Sequence, residues 1–118
     1  MDAPRRPMDQ LRPVELSPLI LEAGRLLVAA ANPVKVLLFG SQARGDARTG
    51  SDFDFLVILA SVEDRFAEMV RLQRSLAPLR IPADVVVYSV QDVEDWAGVQ
   101  QTLIHRALKE GIALYDAI

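Results

Sequence analysis

The residue types that can do chemistry in this 118-residue chain are concentrated between residues 40 and 54. Asp52 and Asp54 are separated by one residue, at the head of the apolar run Phe55–Leu59. Side chains alternate between the two faces of a strand, so these carboxylates point the same way, about 7 Å apart. They repel each other unless a cation lies between them. Mg²⁺ prefers carboxylate and phosphate oxygens, so the spacing predicts a magnesium site.

A glycine and a serine at the other end of this stretch predict an anion site. Gly40-Ser41 follows the apolar run Val36–Phe39 and is expected to open a short helical turn. Free backbone N–H groups at a helix start attract anions. Ser41 adds a hydroxyl and Arg44 a guanidinium, although simple helix capping and an ordinary surface arginine are the alternatives. A phosphate cradle beside two carboxylates indicates phosphoryl or nucleotidyl transfer from a metal-bound nucleoside triphosphate.

The stretch is not a P-loop, because no Gly-Lys-Ser/Thr follows its first glycine. A third carboxylate, Asp84, begins the otherwise apolar run Val85–Val87. If that run forms a strand beside the Asp52–Asp54 strand, three carboxylates converge at one end of a sheet. Two-metal nucleotidyl transfer needs this arrangement, since one ion holds the triphosphate and the other activates the attacking hydroxyl. The alternative for Asp84 is an edge-strand charge or a turn residue.

The combined motif resembles the signature of the DNA polymerase β-like nucleotidyltransferase superfamily. Its members carry Gly-Ser, ten residues, and then Asp-x-Asp, as this chain does. The fuller form is most similar to the minimal nucleotidyltransferase (MNT) branch: Gly40-Ser41-x-Ala43-Arg44-Gly45 and Ser51-Asp52-x-Asp54. The resemblance extends from about residue 34 to residue 115. MNT proteins are small prokaryotic proteins, often encoded beside an all-helical HEPN partner as a toxin–antitoxin pair.

The resemblance implies a role for each matching residue. Asp52 and Asp54 would hold two Mg²⁺ or Mn²⁺ ions, and Asp84 would share the catalytic metal and accept the acceptor's proton. Gly40 and Ser41 would hold β- and γ-phosphate oxygens, with Arg44 as a further phosphate contact. It also implies that ATP is the substrate and that AMP is transferred to a tyrosine of a HEPN ribonuclease toxin, which silences it.

Two other functions are compatible with the sequence. One is a small-molecule nucleotidyltransferase of the aminoglycoside-modifying type, and the other is a catalytically idle module that blocks a toxin by binding alone. The small size favours a protein acceptor, because no residues remain for a second domain that would grip a primer or a drug. The intact Gly-Ser and three aspartates favour an active enzyme.

Composition limits the remaining possibilities. A chain of this length is expected to form one domain and to bury roughly two-thirds of its unfolded surface. The formal net charge is −3 with no long basic stripe, so electrostatic binding of nucleic acid is not expected. Cysteine is absent, which excludes disulfides and fits a reducing cytosol. No apolar run approaches the ~20 residues that span a bilayer, and no signal peptide is recognisable. A cytoplasmic location is therefore expected.

The chain is predicted to consist of an irregular N-terminal arm, residues 1–17, and a single nucleotidyltransferase domain, residues 18–118. The arm contains several prolines and arginines, and is interpreted as a mobile tail or a partner-binding segment. Apolar periodicity in the domain predicts the order αββαβαβ and hence a small mixed α/β sheet with flanking helices. Strands are expected at residues 34–39, 52–59, 83–89 and 112–115.

Helix signals complete the predicted order. Ser17-Pro18 and Asn32-Pro33 bound the first helix, Ser89 caps a short one, and Gly111 ends the last. Phe66 and Trp96 are predicted to lie in the core. His105, the only histidine, is expected to be structural or exposed. Arg106 and Lys109 are expected to complement the dipole of the last helix.

Overall fold

The computed structural model describes residues 17–48 and 50–117. Apart from Ser17, the predicted N-terminal arm lies outside the described residues, so the division of the chain at residue 17 stays a prediction. The helices are α1 (Pro18–Ala31), α2 (Ser41–Arg44), α3 (Arg65–Ser75), α4 (Val90–Trp96) and α5 (Leu103–Glu110). The strands are β1 (Lys35–Phe39), β2 (Phe53–Leu59), β3 (Ala83–Ser89) and β4 (Ile112–Asp116), and a 3-10 turn spans Ala77–Leu79.

Local signals in the sequence account for most of these boundaries. The Ser17 hydroxyl accepts a hydrogen bond from the Ile20 N–H, with a proline at the start of α1, and α1 ends at Asn32 in the left-handed conformation. Ser89 and Asp92 form a reciprocal capping box at the start of α4. The predicted first helix, short capped helix and four strands are therefore confirmed, each within a residue or two.

The four strands form one mixed sheet in the order β3-β2-β1-β4. β1 pairs antiparallel with both β2 and β4, whereas β2 pairs parallel with β3. The predicted mixed α/β sheet is confirmed, as is the expectation that the Asp84 strand lies beside the Asp54 strand. The register places Asp54 directly opposite Asp84 on β3 and opposite Phe39 on β1.

The core lies on both faces of this sheet. On one face, α1 and α3 contribute Ile20, Leu27 and Leu72 to a cluster with Phe55 and Val57 of β2. On the other face, α5 and α4 cover a second cluster formed by Leu37, Phe39, Leu56, Ile58, Val86 and Ala107, with Val90 and Val93 packed against it. Residues 55 to 59 are all buried, which confirms that β2 is a central strand covered on both sides.

The predictions for two aromatic residues were wrong. Phe66 is 75% exposed and Trp96 is 48% exposed. Phe66 lies in the first turn of α3 and lines an open groove, while Leu72, two turns later, is fully buried. Periodicity identifies the apolar face of a helix, but it does not show how far the partner surface extends beneath that face.

Gly111 ends α5 as predicted, but in a different way from a left-handed cap. Its backbone is extended, with φ −74° and ψ 155°. A Cβ at this position would lie 2.3 Å from the Ala107 carbonyl oxygen and 3.3 Å from the Leu38 carbonyl oxygen. Glycine is therefore required by the close approach of the chain to α5 and β1. Among the described helices, none is long and apolar enough to cross a bilayer.

Candidate active site

The Gly40-Ser41 turn connects the end of β1 to the single helical turn of α2. Gly40 has φ 76° and ψ −157°, a backbone conformation that is essentially restricted to glycine. A Cβ at this position would lie 2.4 Å from Oδ2 of Asp54. The glycine thus satisfies the backbone of the turn and lets a carboxylate approach it. The antiparallel pairing of Phe39 with Asp54 explains why the two ends of the motif meet, although many residues separate them.

Asp54 and Asp84 point to the same side of the sheet. Leu56 and Val86, each two residues further along its strand, belong to the cluster under α5, and alternation puts the two aspartates on that face. Both line a cleft of about 460 Å³, here called the polar cleft. Its lining also includes Gly40, Ser41, Arg44 and Arg106.

Burial and neighbouring charges both affect the pKa of Asp54. Burial raises the pKa of this carboxyl above its usual range, and the nearby carboxylates of Asp84 and Asp52 raise it further. Arg106 and Arg44 act in the opposite direction on the pKa of Asp54. Ionisation of Asp54 is therefore disfavoured in the folded protein, and a bound cation would offset this cost.

Asp52 is placed differently from the other two aspartates. It precedes β2, is exposed, and is not among the residues that line the polar cleft, although its charge acts on Asp54. Within residues 17–48 and 50–117, no group of three or more acidic or histidine side chains is arranged to hold a metal ion. The structure thus brings Asp54 and Asp84 together, and the three-carboxylate metal site stays a prediction.

The pair of aspartates nevertheless fits a hard divalent cation. Carboxylate oxygens are the donors that Mg²⁺ prefers, and substrate phosphates commonly complete its coordination shell. The polar cleft provides carboxylates for a cation and groups that bind phosphate, because Asp54 and Asp84 face the Gly40-Ser41 turn and two arginines. These residues can hold a metal-bound polyphosphate.

Helix α5 contributes two charged residues that the sequence did not assign to the site. Arg106 lines the polar cleft, so its assignment to the helix dipole alone was incomplete. Glu110 accepts hydrogen bonds from the Gly40 N–H at 3.2 Å and from Nη1 of Arg44 at 3.0 Å. Leu103, Arg106 and Glu110 are spaced i, i+3 and i+7, the pattern of one helical face. This spacing could have shown that the three residues share one face of α5. It could not have shown that this face lies against the polar cleft and the Gly40-Ser41 turn.

Arg44 is held between two carboxylates. Its Nε donates to Asp46 at 3.2 Å, and its Nη1 donates to Glu110. The hydrogen bond to Asp46 is the main cause that raises the pKa of the Arg44 guanidinium, and Glu110 acts in the same direction. His105 takes no part in the cleft. Its Nδ1 lies 2.8 Å from the Ala97 carbonyl oxygen, to which it donates, as expected for a structural histidine.

The family of the chain follows from its sequence. The chain belongs to the polymerase beta nucleotidyltransferase family, whose sequence profile matches residues 24–117. It is therefore an enzyme of the transferase class, and the family resemblance of the motif is confirmed. None of the curated proteins compared with the chain matches it.

Solved structures share the fold at low sequence identity. A toxin–antitoxin complex with AMP-PNP aligns with a TM-score of 0.57 and 21% identity, over 81% of this chain and 73% of that chain. A variant of the toxin–antitoxin complex MntA-HpeT gives a TM-score of 0.57 and 19% identity, over 78% and 68%. A candidate nucleotidyltransferase from Sulfolobus solfataricus gives 0.57 and 21%, over 83% and 78%. These likenesses confirm the nucleotidyltransferase fold.

Proposed function

We propose that this protein transfers AMP from ATP to a tyrosine hydroxyl of a cognate HEPN toxin and thereby acts as its antitoxin. The observation that carries the proposal is the polar cleft, in which the Gly40-Ser41 turn and two arginines face Asp54 and Asp84. Two structural relatives are toxin–antitoxin complexes, one of them with AMP-PNP, which supports both an adenine nucleotide and a toxin partner. Because the reaction consumes ATP, we place it in the cytoplasm.

In the proposed reaction, the turn and the arginines bind the triphosphate. The Ser41 hydroxyl and the backbone of the turn hold β- and γ-phosphate oxygens, while the guanidinium groups of Arg44 and Arg106 offset their charge. Asp52, Asp54 and Asp84 would hold Mg²⁺ or Mn²⁺. When bound, the metal would neutralise phosphate charge and favour ionisation of the attacking hydroxyl.

The acceptor is proposed to approach from the Asp84 side. Asp84 lines both the polar cleft and a neighbouring groove of about 550 Å³, here called the apolar groove. The groove is formed by α3, the 3-10 turn and the start of β3, and its apolar lining includes Phe66, Met69, Val70, Ile81 and Val85. Such a lining suits an aromatic ring and the apolar residues around it. The carboxylate at its end suits the phenolic hydroxyl.

The covalent step can be written from these positions. The tyrosine oxygen forms a bond to the α-phosphorus of ATP, and the bond from that phosphorus to the bridging oxygen of the β-phosphate breaks. Pyrophosphate leaves, and the phenolic proton passes to the Asp84 carboxylate. A phenol has a pKa of about 10, so this proton must be removed for attack at neutral pH.

The proposal is tested by incubating the protein with its proposed HEPN partner, ATP and Mg²⁺. Mass spectrometry should detect one or more added AMP units on a tyrosine of the partner. The Asp52→Ala/Asp54→Ala variant and an EDTA control should give none. Asp95→Ala, which removes an exposed carboxylate on α4 that does not line the polar cleft, should behave as wild type. If the double variant still protects cells fully from the toxin, neutralisation is by binding alone and the proposed role of catalysis is wrong.

A further inference from the structure

The helical turn that presents the proposed phosphate ligands is too short to be stable by itself. α2 contains four residues. Isolated helices shorter than roughly 12 residues are marginal in water, because a single turn fixes many dihedral angles for few hydrogen bonds. The geometry of α2 therefore depends on contacts with the rest of the protein.

One carboxylate makes such contacts at both ends of the turn. Oε1 of Glu110 accepts the hydrogen bond of the Gly40 N–H, which precedes α2, and that of Nη1 of Arg44, the last residue of α2. Because a single oxygen accepts both, a displacement of either donor disturbs the other. Glu110 does not line the polar cleft, and its side chain is 20% exposed, compared with 45% for Arg44. Glu110 therefore affects the polar cleft indirectly, through Gly40 and Arg44.

The path of the chain after α5 explains how Glu110 reaches the turn. Gly111 follows immediately, and a Cβ there would lie 3.3 Å from the carbonyl oxygen of Leu38, two residues before Gly40. The absence of a side chain lets the end of α5 lie against the end of β1. The same close approach brings the Glu110 carboxylate to the start of α2.

We infer that Glu110 is a positioning residue for nucleotide binding. It fixes the Gly40 amide and the Arg44 guanidinium so that the Ser41 hydroxyl and the arginine face the triphosphate. This inference rests on the proposed function, because it assigns Glu110 to the same nucleotide site. A carboxylate suits the role, since it can pair with a guanidinium and accept from a backbone N–H at once.

The test compares Glu110→Ala and Glu110→Gln with Glu94→Ala, which removes an exposed carboxylate from α4. Amide hydrogen exchange in the absence of nucleotide should be faster at residues 40–45 in Glu110→Ala than in wild type. The Kd for Mg-ATP, measured by calorimetry, should rise about tenfold, because the nucleotide must then order a turn that a charge-assisted hydrogen bond no longer holds in place. Glu110→Gln keeps an acceptor but loses the charge, so both values should be intermediate. Glu94→Ala should match wild type.

A merely structural role gives a different result. The inference is overturned if Glu110→Ala melts at a lower temperature but exchanges at residues 40–45 and binds Mg-ATP as Glu94→Ala does. These measurements also separate the two proposals. If the wild-type protein binds no Mg-ATP, the proposed function is wrong and the inference fails with it. If wild type binds and Glu110→Ala binds equally well, only the inference is wrong.

Discussion

At the scale of single residues, Asp54 is the side chain on which the proposed site depends. It is half-buried, faces Asp84 across the β2–β3 pair, and approaches Gly40 so closely that no Cβ fits there. Burial and the neighbouring carboxylates raise its pKa, so the ionised form is less favourable in the folded chain than in the unfolded one. The residue therefore lowers stability where it is proposed to serve function.

The substitution Asp54→Asn should abolish AMP transfer and stabilise the protein at neutral pH, because it removes a charge that burial and repulsion disfavour. A raised folded pKa means that wild-type stability falls as pH rises from about 3.9, the unfolded value, through the folded value. The advantage of Asp54→Asn should therefore shrink on acidification and disappear below about pH 3.9. Thermal unfolding of both proteins, from pH 7 to below about pH 3.9, measures this difference in stability. A variant that is less stable at pH 7 would assign Asp54 a structural role.

Gly40→Ala should impair both folding and binding. The positive φ costs about 1–3 kcal/mol for a residue with a side chain, and the new methyl group would displace the Asp54 carboxylate. Urea unfolding should report the loss of stability, and calorimetry a weaker affinity for Mg-ATP. Gly98→Ala is the matched control, because a Cβ at Gly98 meets nothing within 4 Å. Equal stability of the two variants would contradict the argument.

At the scale of elements, the site is assembled by strand register and closed by α5. The antiparallel β1–β2 pair brings the Gly40-Ser41 turn to Asp54, and the parallel β2–β3 pair brings Asp84 beside it. α5 then contributes Arg106 to the polar cleft and Glu110 to the turn. The last helix thus lines the polar cleft as well as covering the core.

Arg106→Ala should weaken Mg-ATP binding about tenfold or more, because a charged hydrogen bond to phosphate contributes roughly 1.5–3 kcal/mol. Arg106 is exposed, so the fold should persist. The control is Lys109→Ala, which removes a positive charge from the same helix at a position outside the cleft lining. Calorimetry measures the affinity of both variants for Mg-ATP, and their melting temperatures show whether the fold persists. Equal affinities would show that Arg106 does not contact the nucleotide.

At the scale of the whole molecule, β3 is an edge of the sheet, and α3 covers part of that edge with side chains. The Gln73 amide accepts from the Val85 N–H and donates to the Ala83 carbonyl, and Nε of Arg65 donates to the Val87 carbonyl at 2.6 Å. These bonds oppose pairing with another strand. The adjacent apolar groove stays open, so a partner can insert side chains beside Asp84 without adding a strand.

Phe66→Ala should reduce AMP transfer to the protein partner while leaving Mg-ATP affinity unchanged. Phe66 lines the apolar groove and is 75% exposed, so its loss removes a contact surface without opening the core. Leu21→Ala, which truncates an exposed apolar residue on α1, serves as the control. The rate of transfer at saturating ATP is measured against partner concentration. Equal rates for the two variants would show that the acceptor does not use this groove.

The sequence by itself determined the element types, most of their boundaries and the motif. These features depend on neighbours in the chain: Ser17 and Ser89 are local caps, the apolar run after Asp54 marks a central strand, and the Gly-Ser spacing identifies the family. The sequence also suggested that Asp84 would join Asp54, on the condition that their strands are neighbours. The structure meets that condition, because β2 and β3 pair in parallel and place Asp54 opposite Asp84.

Only the tertiary structure decided what surrounds the motif. Glu110 lies 70 residues from Gly40, and no local pattern indicates that α5 ends against that turn. The exposure of Phe66 and the cleft position of Arg106 likewise depend on how helices dock on the sheet. Periodicity is a property of one segment, whereas docking depends on the shape of two surfaces distant in the chain. The motif residues of the proposed site are therefore visible in the sequence, whereas Arg106 and Glu110, which α5 brings to them, are identified only by the fold.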